Sequence, residues 1–207
     1  MAGEWNYEVE IKLRVPSAAD GRNRLQRCGF QPASPRAFES NIVYDTPSRD
    51  LQQRGQLLRV RTYNDQAILT FKARGTDHHY KVRPELEVTI GSAASMTAIL
   101  EQLGFEPVFR YEKFRTEYSR PGDPGHVLLD ETPIGTFLEL EGPPDWIDRV
   151  AQELGFERSE YITATYAQLF YAERPELHGR PAAMVFPESR IGETPEIGPQ
   201  GTTPRAK

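Results

Sequence analysis

The chain has 207 residues, a formal net charge of −5, and 38% hydrophobic against 27% charged residues, which suffices for one domain with a sizeable core and lacks the basic balance of a general nucleic-acid binder. No apolar stretch of about 18 residues and no basic segment leading into an apolar run occurs, so neither membrane insertion nor secretion is expected and a cytoplasmic location is. The one cysteine, Cys28, leaves no partner for an intrachain disulfide and no cysteine-type zinc site.

Residues 4–15 alternate with the period of a strand: Glu8, Glu10, Lys12 and Arg14 share one face, and Val9, Ile11, Leu13 and Val15 the other. The pattern recurs six times. Arg59 and Arg61 alternate with Leu58 and Val60; Lys72 follows Leu69 and Phe71; Lys81, Arg83, Glu85 and Glu87 alternate with Val82, Leu86 and Val88. Lys113 and Arg115 then flank Phe114, Asp130 ends the run Val127-Leu128-Leu129, and Glu139 and Glu141 alternate with Leu138 and Leu140. Three amphipathic stretches close alike, at Gly29-Phe30, Gly104-Phe105 and Gly155-Phe156. Each predicts a helix end, with glycine in the left-handed conformation and Phe folded back on the last turn. A fourth helix is predicted over about 165–172. From 173 onward prolines recur without apolar periodicity, which predicts a flexible tail on a domain spanning 1–172. Met184, Val185 and Phe186 offer docking on the barrel surface or on a neighbouring subunit, so a homodimer is left open. His78-His79 predicts an exposed loop rather than a metal site, because adjacent strand residues face opposite ways.

A single strand with one charged face usually turns it to solvent. Seven such strands of mixed sign, together with helices that need an apolar surface to cover, predict an α+β fold: a closed antiparallel β-barrel with a charged interior and helices packed on the outside. Lys12, Arg59, Arg61, Lys72, Lys81, Arg83, Lys113 and Arg115 then face inward, opposed by Glu8, Glu10, Glu85, Glu87, Asp130, Glu139 and Glu141. Buried bases need neutralising partners, so the cavity calls for a polyanionic ligand whose phosphates the arginine forks grip. The Glu-x-Glu pairs Glu8/Glu10 and Glu139/Glu141 present carboxylates suited to Mg²⁺ or Mn²⁺.

These residues resemble the CYTH superfamily, the triphosphate tunnel metalloenzymes, which includes class IV adenylyl cyclases, thiamine triphosphatases and inorganic triphosphatases. The resemblance is carried by Glu8-x-Glu10-x-Lys12, Tyr44-Asp45-Thr46-Pro47, Leu57-Leu58-Arg59-Val60-Arg61, Leu69-Thr70-Phe71-Lys72 and Lys81-Val82-Arg83-Pro84-Glu85-Leu86-Glu87, and further on by Lys113-Phe114-Arg115, Asp130, Gly135 to Gly142 and Thr165-Tyr166. It implies a triphosphate tunnel in which the basic residues bind substrate. It also implies a metal and water-activating region of Glu8, Glu10, Asp130, Glu139 and Glu141, with Glu87 close by; Glu8, Glu10, Lys12, Glu139 and Glu141 form the expected catalytic group. The partner is thus a small-molecule triphosphate, with neither nucleic acid nor membrane. One position departs from the thiamine triphosphatases: Val43 stands where they carry a tyrosine that pairs with the signature lysine. Tyr44 is expected to point outward. Hydrolysis of tripolyphosphate or a nucleoside triphosphate leads the expectations, class IV adenylyl cyclase activity is second, and a noncatalytic polyphosphate- or nucleotide-binding module is third.

Overall fold

In the computed structural model, which describes residues 5–77 and 79–187, the alternating segments form eight long strands. They are β1 (Asn6–Val15), β2 (Ala37–Asp45), β3 (Leu57–Tyr63), β4 (Gln66–Lys72), β5 (Lys81–Ile90), β6 (Glu106–Ser119), β7 (His126–Thr132) and β8 (Gly135–Glu141). Neighbours pair antiparallel in the order β1-β8-β7-β6-β2-β3-β4-β5, and β5 pairs back to β1, which closes the sheet into a barrel. Seven strands are expected from the sequence; β2 is the eighth. The closing registers set Lys12 opposite Glu139 and Glu8 opposite Arg83. Asn64 and Asp65, both at positive φ (48° and 61°), turn β3 into β4 as a two-residue hairpin loop.

The apolar faces look outward and are roofed by helices. Ile11, Leu13, Leu138, Leu140 and Leu129 are buried against α1 (Ala18–Arg27) and the helix Pro144–Glu153, which contributes Trp146, Ile147 and Val150. Burial of each such aliphatic side chain contributes roughly 1.5–3 kcal/mol. The helix Ala93–Gln102 is α2; its Leu100 packs with Tyr44 and Val60 over β2 and β3, which leaves Pro144–Glu153 as α3. Helix α4 (Tyr166–Glu173) lies across one end of the barrel, where Tyr166 and Phe170 pack on Phe109, Tyr111 and Phe137.

The three predicted helix ends share one geometry. Gly29, Gly104 and Gly155 have φ of 81°, 87° and 84°. The N–H groups of Phe30, Phe105 and Phe156 each donate to the carbonyl five residues back at 3.0 Å, closing a Schellman turn.

The stretch after 173, expected to be flexible, is docked as far as Phe186. Ala182–Met184 pair parallel with Phe109–Tyr111 of β6, in a part of that strand β7 does not reach. Met184 and Phe186 are buried, the Phe186 ring lies 5.2 Å from that of Phe114, and the Phe186 N–H donates to the buried Glu112 carboxylate at 3.1 Å. Two apolar side chains at strand spacing outweigh the proline-rich composition around them. His79 is exposed, and His78 lies outside the described residues. Among the described residues no helix is long and apolar enough to cross a membrane.

Candidate active site in the barrel interior

Because the outer faces are apolar and covered, the polar faces of the same strands enclose a cavity of about 830 Å³. All eight predicted cations, Lys12, Arg59, Arg61, Lys72, Lys81, Arg83, Lys113 and Arg115, line it. Glu8, Glu10, Glu139 and Glu141 line it too. A second opening, bordered by Tyr7, Pro124 and His126, shares Glu8, Arg61, Arg115 and Glu141 with the first, so the interior reaches both ends of the barrel.

Every cation has an internal counter-charge or acceptor. The Lys12 ammonium lies 2.8 Å from Glu10 and 3.2 Å from Glu139; Lys81 also donates to Glu10, and Lys72 to Glu8, with Glu85 3.0 Å away. Arg59 donates to the Tyr111 hydroxyl at 2.9 Å and to Thr70 at 3.2 Å, and lies 3.4 Å from Glu87. Asp130, fully buried, accepts from Lys113 at 2.8 Å, from two nitrogens of Arg115 at 2.7 Å and from the Tyr166 hydroxyl at 2.8 Å. Arg115 also reaches Glu139. Arg83 donates to the carbonyls of Ala73 and Gly55 near the cavity mouth.

The electrostatic consequences follow from burial set against these contacts. Burial alone raises a carboxyl, yet Lys12 and Lys81 hold Glu10 well below the usual carboxylate range. Glu139 is lowered in the same way, by Lys12, Lys113 and Arg115. Where cations are fewer, burial wins: Glu85 is pushed up to about 7, with Glu8 and Glu87 adding to the effect against Lys72. Glu141 is likewise raised by burial, against a hydrogen bond with His126, whose Nε2 lies 3.1 Å away. The Tyr111 phenol is lowered, because Arg59 and Lys113 outweigh its burial.

Among the described residues, Glu8, Glu10 and Glu141 bring carboxylate oxygens within 4.8 Å of one another. Three hard oxygen donors on adjoining strands suit Mg²⁺ or Mn²⁺, so the donor set fits the divalent cation that the resemblance implies. Of the other expected ligands, Glu139 and Asp130 are engaged by cations in the adjoining wall, and Glu87 sits near the second opening, accepting from Thr70 at 2.6 Å.

Val43 faces the cavity and Tyr44 points outward, its hydroxyl 2.6 Å from that of Thr97 on α2. Glu39, Asn41 and Tyr111 also belong to the interior, beyond the residues expected there. Glu39 and Asn41 alternate with Phe38 and Ile42, and Tyr111 continues the face of Lys113 and Arg115; that spacing is the signal by which all three could be found.

The CYTH domain profile matches residues 6–166. The chain belongs to the CYTH family. A Methanocaldococcus jannaschii protein, MJ0240, provisionally named as an adenylate cyclase, is 31% identical to it over 172 residues, covering 78% of this CYTH chain and 97% of its own. The solved structure of PH1819 from Pyrococcus horikoshii superposes with a TM-score of 0.70 at 26% identity, over 81% of this chain and 99% of that one. A Hippeastrum protein described as an adenylyl cyclase with dominant triphosphatase activity shares the CYTH fold at a TM-score of 0.59 and 19% identity, covering 81% and 96% of the two chains.

Proposed function

We propose that this CYTH protein catalyses divalent-metal-dependent hydrolysis of a triphosphate, either inorganic tripolyphosphate or a nucleoside triphosphate, inside the barrel. The observation that carries the reading is that eight cations and the Glu8, Glu10 and Glu141 carboxylates line one cavity of a closed barrel. A site evolved only to hold phosphate gains nothing from three carboxylates aimed at the same space.

In this reading Arg59, Arg61, Lys72, Lys113 and Arg115 grip successive phosphates, and Lys12, Lys81 and Arg83 complete the cradle. Arginine forks orient the chain for in-line attack, while the walls exclude bulk water and strengthen every charge contact. Glu8, Glu10 and Glu141 would hold the divalent cation, which when bound would supply charge neutralisation and lower the pKa of an attacking water. His126 orients Glu141 through its hydrogen bond.

The name carried by the Methanocaldococcus jannaschii relative favours a second reading, cyclisation of ATP to cyclic AMP and pyrophosphate. Tyr171, half-buried on the cavity wall, gives it a place for a base to stack.

Purified protein incubated with tripolyphosphate or ATP and with Mg²⁺ or Mn²⁺, with phosphate, pyrophosphate and cyclic AMP resolved, separates the readings. Orthophosphate release supports hydrolysis, cyclic AMP makes it a cyclase, and no product from either substrate with either metal rejects both. Glu10→Gln is expected to weaken metal affinity by at least about 10–100-fold, the range already reached when only a ligand's supporting contacts are disturbed. Calorimetric titration with Mn²⁺ checks this, and undiminished affinity in a folded variant removes Glu10 from the metal group.

A further inference from the structure

Glu39 and Asn41 have no part in the reading above, although both are buried inside the barrel, at 1% and 0% exposure. They sit on β2, between β3 and β6. In the β2–β6 register Glu39 stands opposite Lys113, and in the β2–β3 register Asn41 stands opposite Arg61. The Glu39 carboxylate therefore reaches both neighbouring strands, 3.5 Å from Arg61 Nε and 3.6 Å from Lys113 Nζ. Asn41 Nδ2 donates to its Oε1 at 2.9 Å, which fixes the carboxylate from its own strand.

Arg61 and Lys113 line the cavity, whereas Glu39 stays out of contact with it, behind them. A negative charge in that place weakens the attraction of the wall for a polyanion, so it does not serve affinity. Its use lies in geometry. Arg and Lys side chains are long and rich in rotamers, and one buried anion between them restricts both at once. At 3.5 and 3.6 Å the Glu39 contacts are longer than hydrogen bonds, so the Arg61 guanidinium and the Lys113 ammonium, which donates once to Asp130 at 2.8 Å, keep N–H donors for phosphate oxygens.

We propose that Glu39, held by Asn41, is a positioning residue that sets the spacing of Arg61 and Lys113 along the bound triphosphate and acts on the reaction only through them. The proposal rests on the triphosphatase reading for its kinetic form, but not for its binding form. A residue of this kind acts on the transition state more than on the ground state, so its loss divides kcat from KM.

The test is a double-mutant cycle of Glu39→Gln and Arg61→Gln, read in kcat, KM and calorimetric tripolyphosphate affinity, with melting curves to establish folding. Glu39→Gln is expected to lower kcat by about 10–100-fold, the scale of a misplaced binding group, with KM unchanged or lower. In the Arg61→Gln background its effect on kcat shrinks at least about threefold, because one of the two groups it positions is gone. A merely structural role gives the opposite pattern: a lower melting temperature with kcat and KM of the folded enzyme intact, and that pattern overturns the proposal. If wild type turns over neither tripolyphosphate nor ATP, the functional reading fails separately, and the cycle is read from tripolyphosphate affinity; coupled effects uphold the positioning role and additive ones reject it. Should Glu39→Gln not fold, Asn41→Ala, which removes the amide that holds the carboxylate, enters the same cycle under the same criteria.

Discussion

Glu39 also reports the charge state of the barrel interior through its acidity. Burial raises its carboxyl, but Lys113 and Arg61 outweigh that and hold it well below its ordinary value of 4.5. A carboxyl whose folded pKa is depressed adds stability that is fully present above the unfolded pKa and is lost as pH falls through the folded one. The gap in melting temperature between wild type and Glu39→Gln is therefore expected to be constant above pH 4.5 and to narrow below it. Thermal melts of the two proteins from pH 7 down to pH 3 check this. A gap that stays constant throughout means that the Glu39 carboxyl has the same pKa in the folded and unfolded chains, and that Lys113 and Arg61 do not depress it.

At the scale of elements, the three helix-Gly-Phe endings offer one clean measurement. Gly104 has a φ of 87°, and a Cβ added there meets nothing within 4 Å, so the only penalty for alanine is the left-handed backbone. Gly104→Ala is expected to cost about 1–2 kcal/mol, which for a chain of this size lowers the melting temperature by about 2–4 °C per kcal/mol. Since α2 covers the outer face, kcat and KM should not change; an asparagine at 104 should lose less, and equal losses would contradict the backbone argument. The strands show where a sequence can and cannot be read. In β1, β5 and β8 strict alternation of charge with Val, Leu and Ile is visible without a structure. In β2 the outward position 40 is Ser and the inward position 43 is Val, so polarity stops tracking the pleat, and Glu39 and Asn41 go unseen. Nor does any strand contain its own register. That Glu10 meets Lys81 and that Glu139 meets Lys12 depends on which strands close the barrel, and therefore so does the grouping of Glu8, Glu10 and Glu141.

For the whole molecule, closure makes two ligands depend on each other. The lysines of the tunnel are paired with its own carboxylates: Lys72 with Glu8, and Lys12 and Lys81 with Glu10. A triphosphate that takes up these lysines frees Glu8 and Glu10, two of the three grouped carboxylates, to receive a cation. A cation on those carboxylates in turn releases the lysines toward phosphate. Each ligand thus removes a cost of binding the other, which is a positive coupling of the usual 1–3 kcal/mol scale, or about 5–150-fold in affinity. Ligand at about 100 times its Kd stabilises by about 2.7 kcal/mol, a rise of roughly 5–10 °C for a protein of this length. At fixed free Mn²⁺, tripolyphosphate and metal together are expected to raise the melting temperature by more than the sum of their separate shifts. Glu10→Gln should keep the tripolyphosphate shift and lose the surplus. Additive shifts in wild type would show that the lysines and carboxylates of the tunnel do not exchange partners, and that phosphate and metal are held by independent groups.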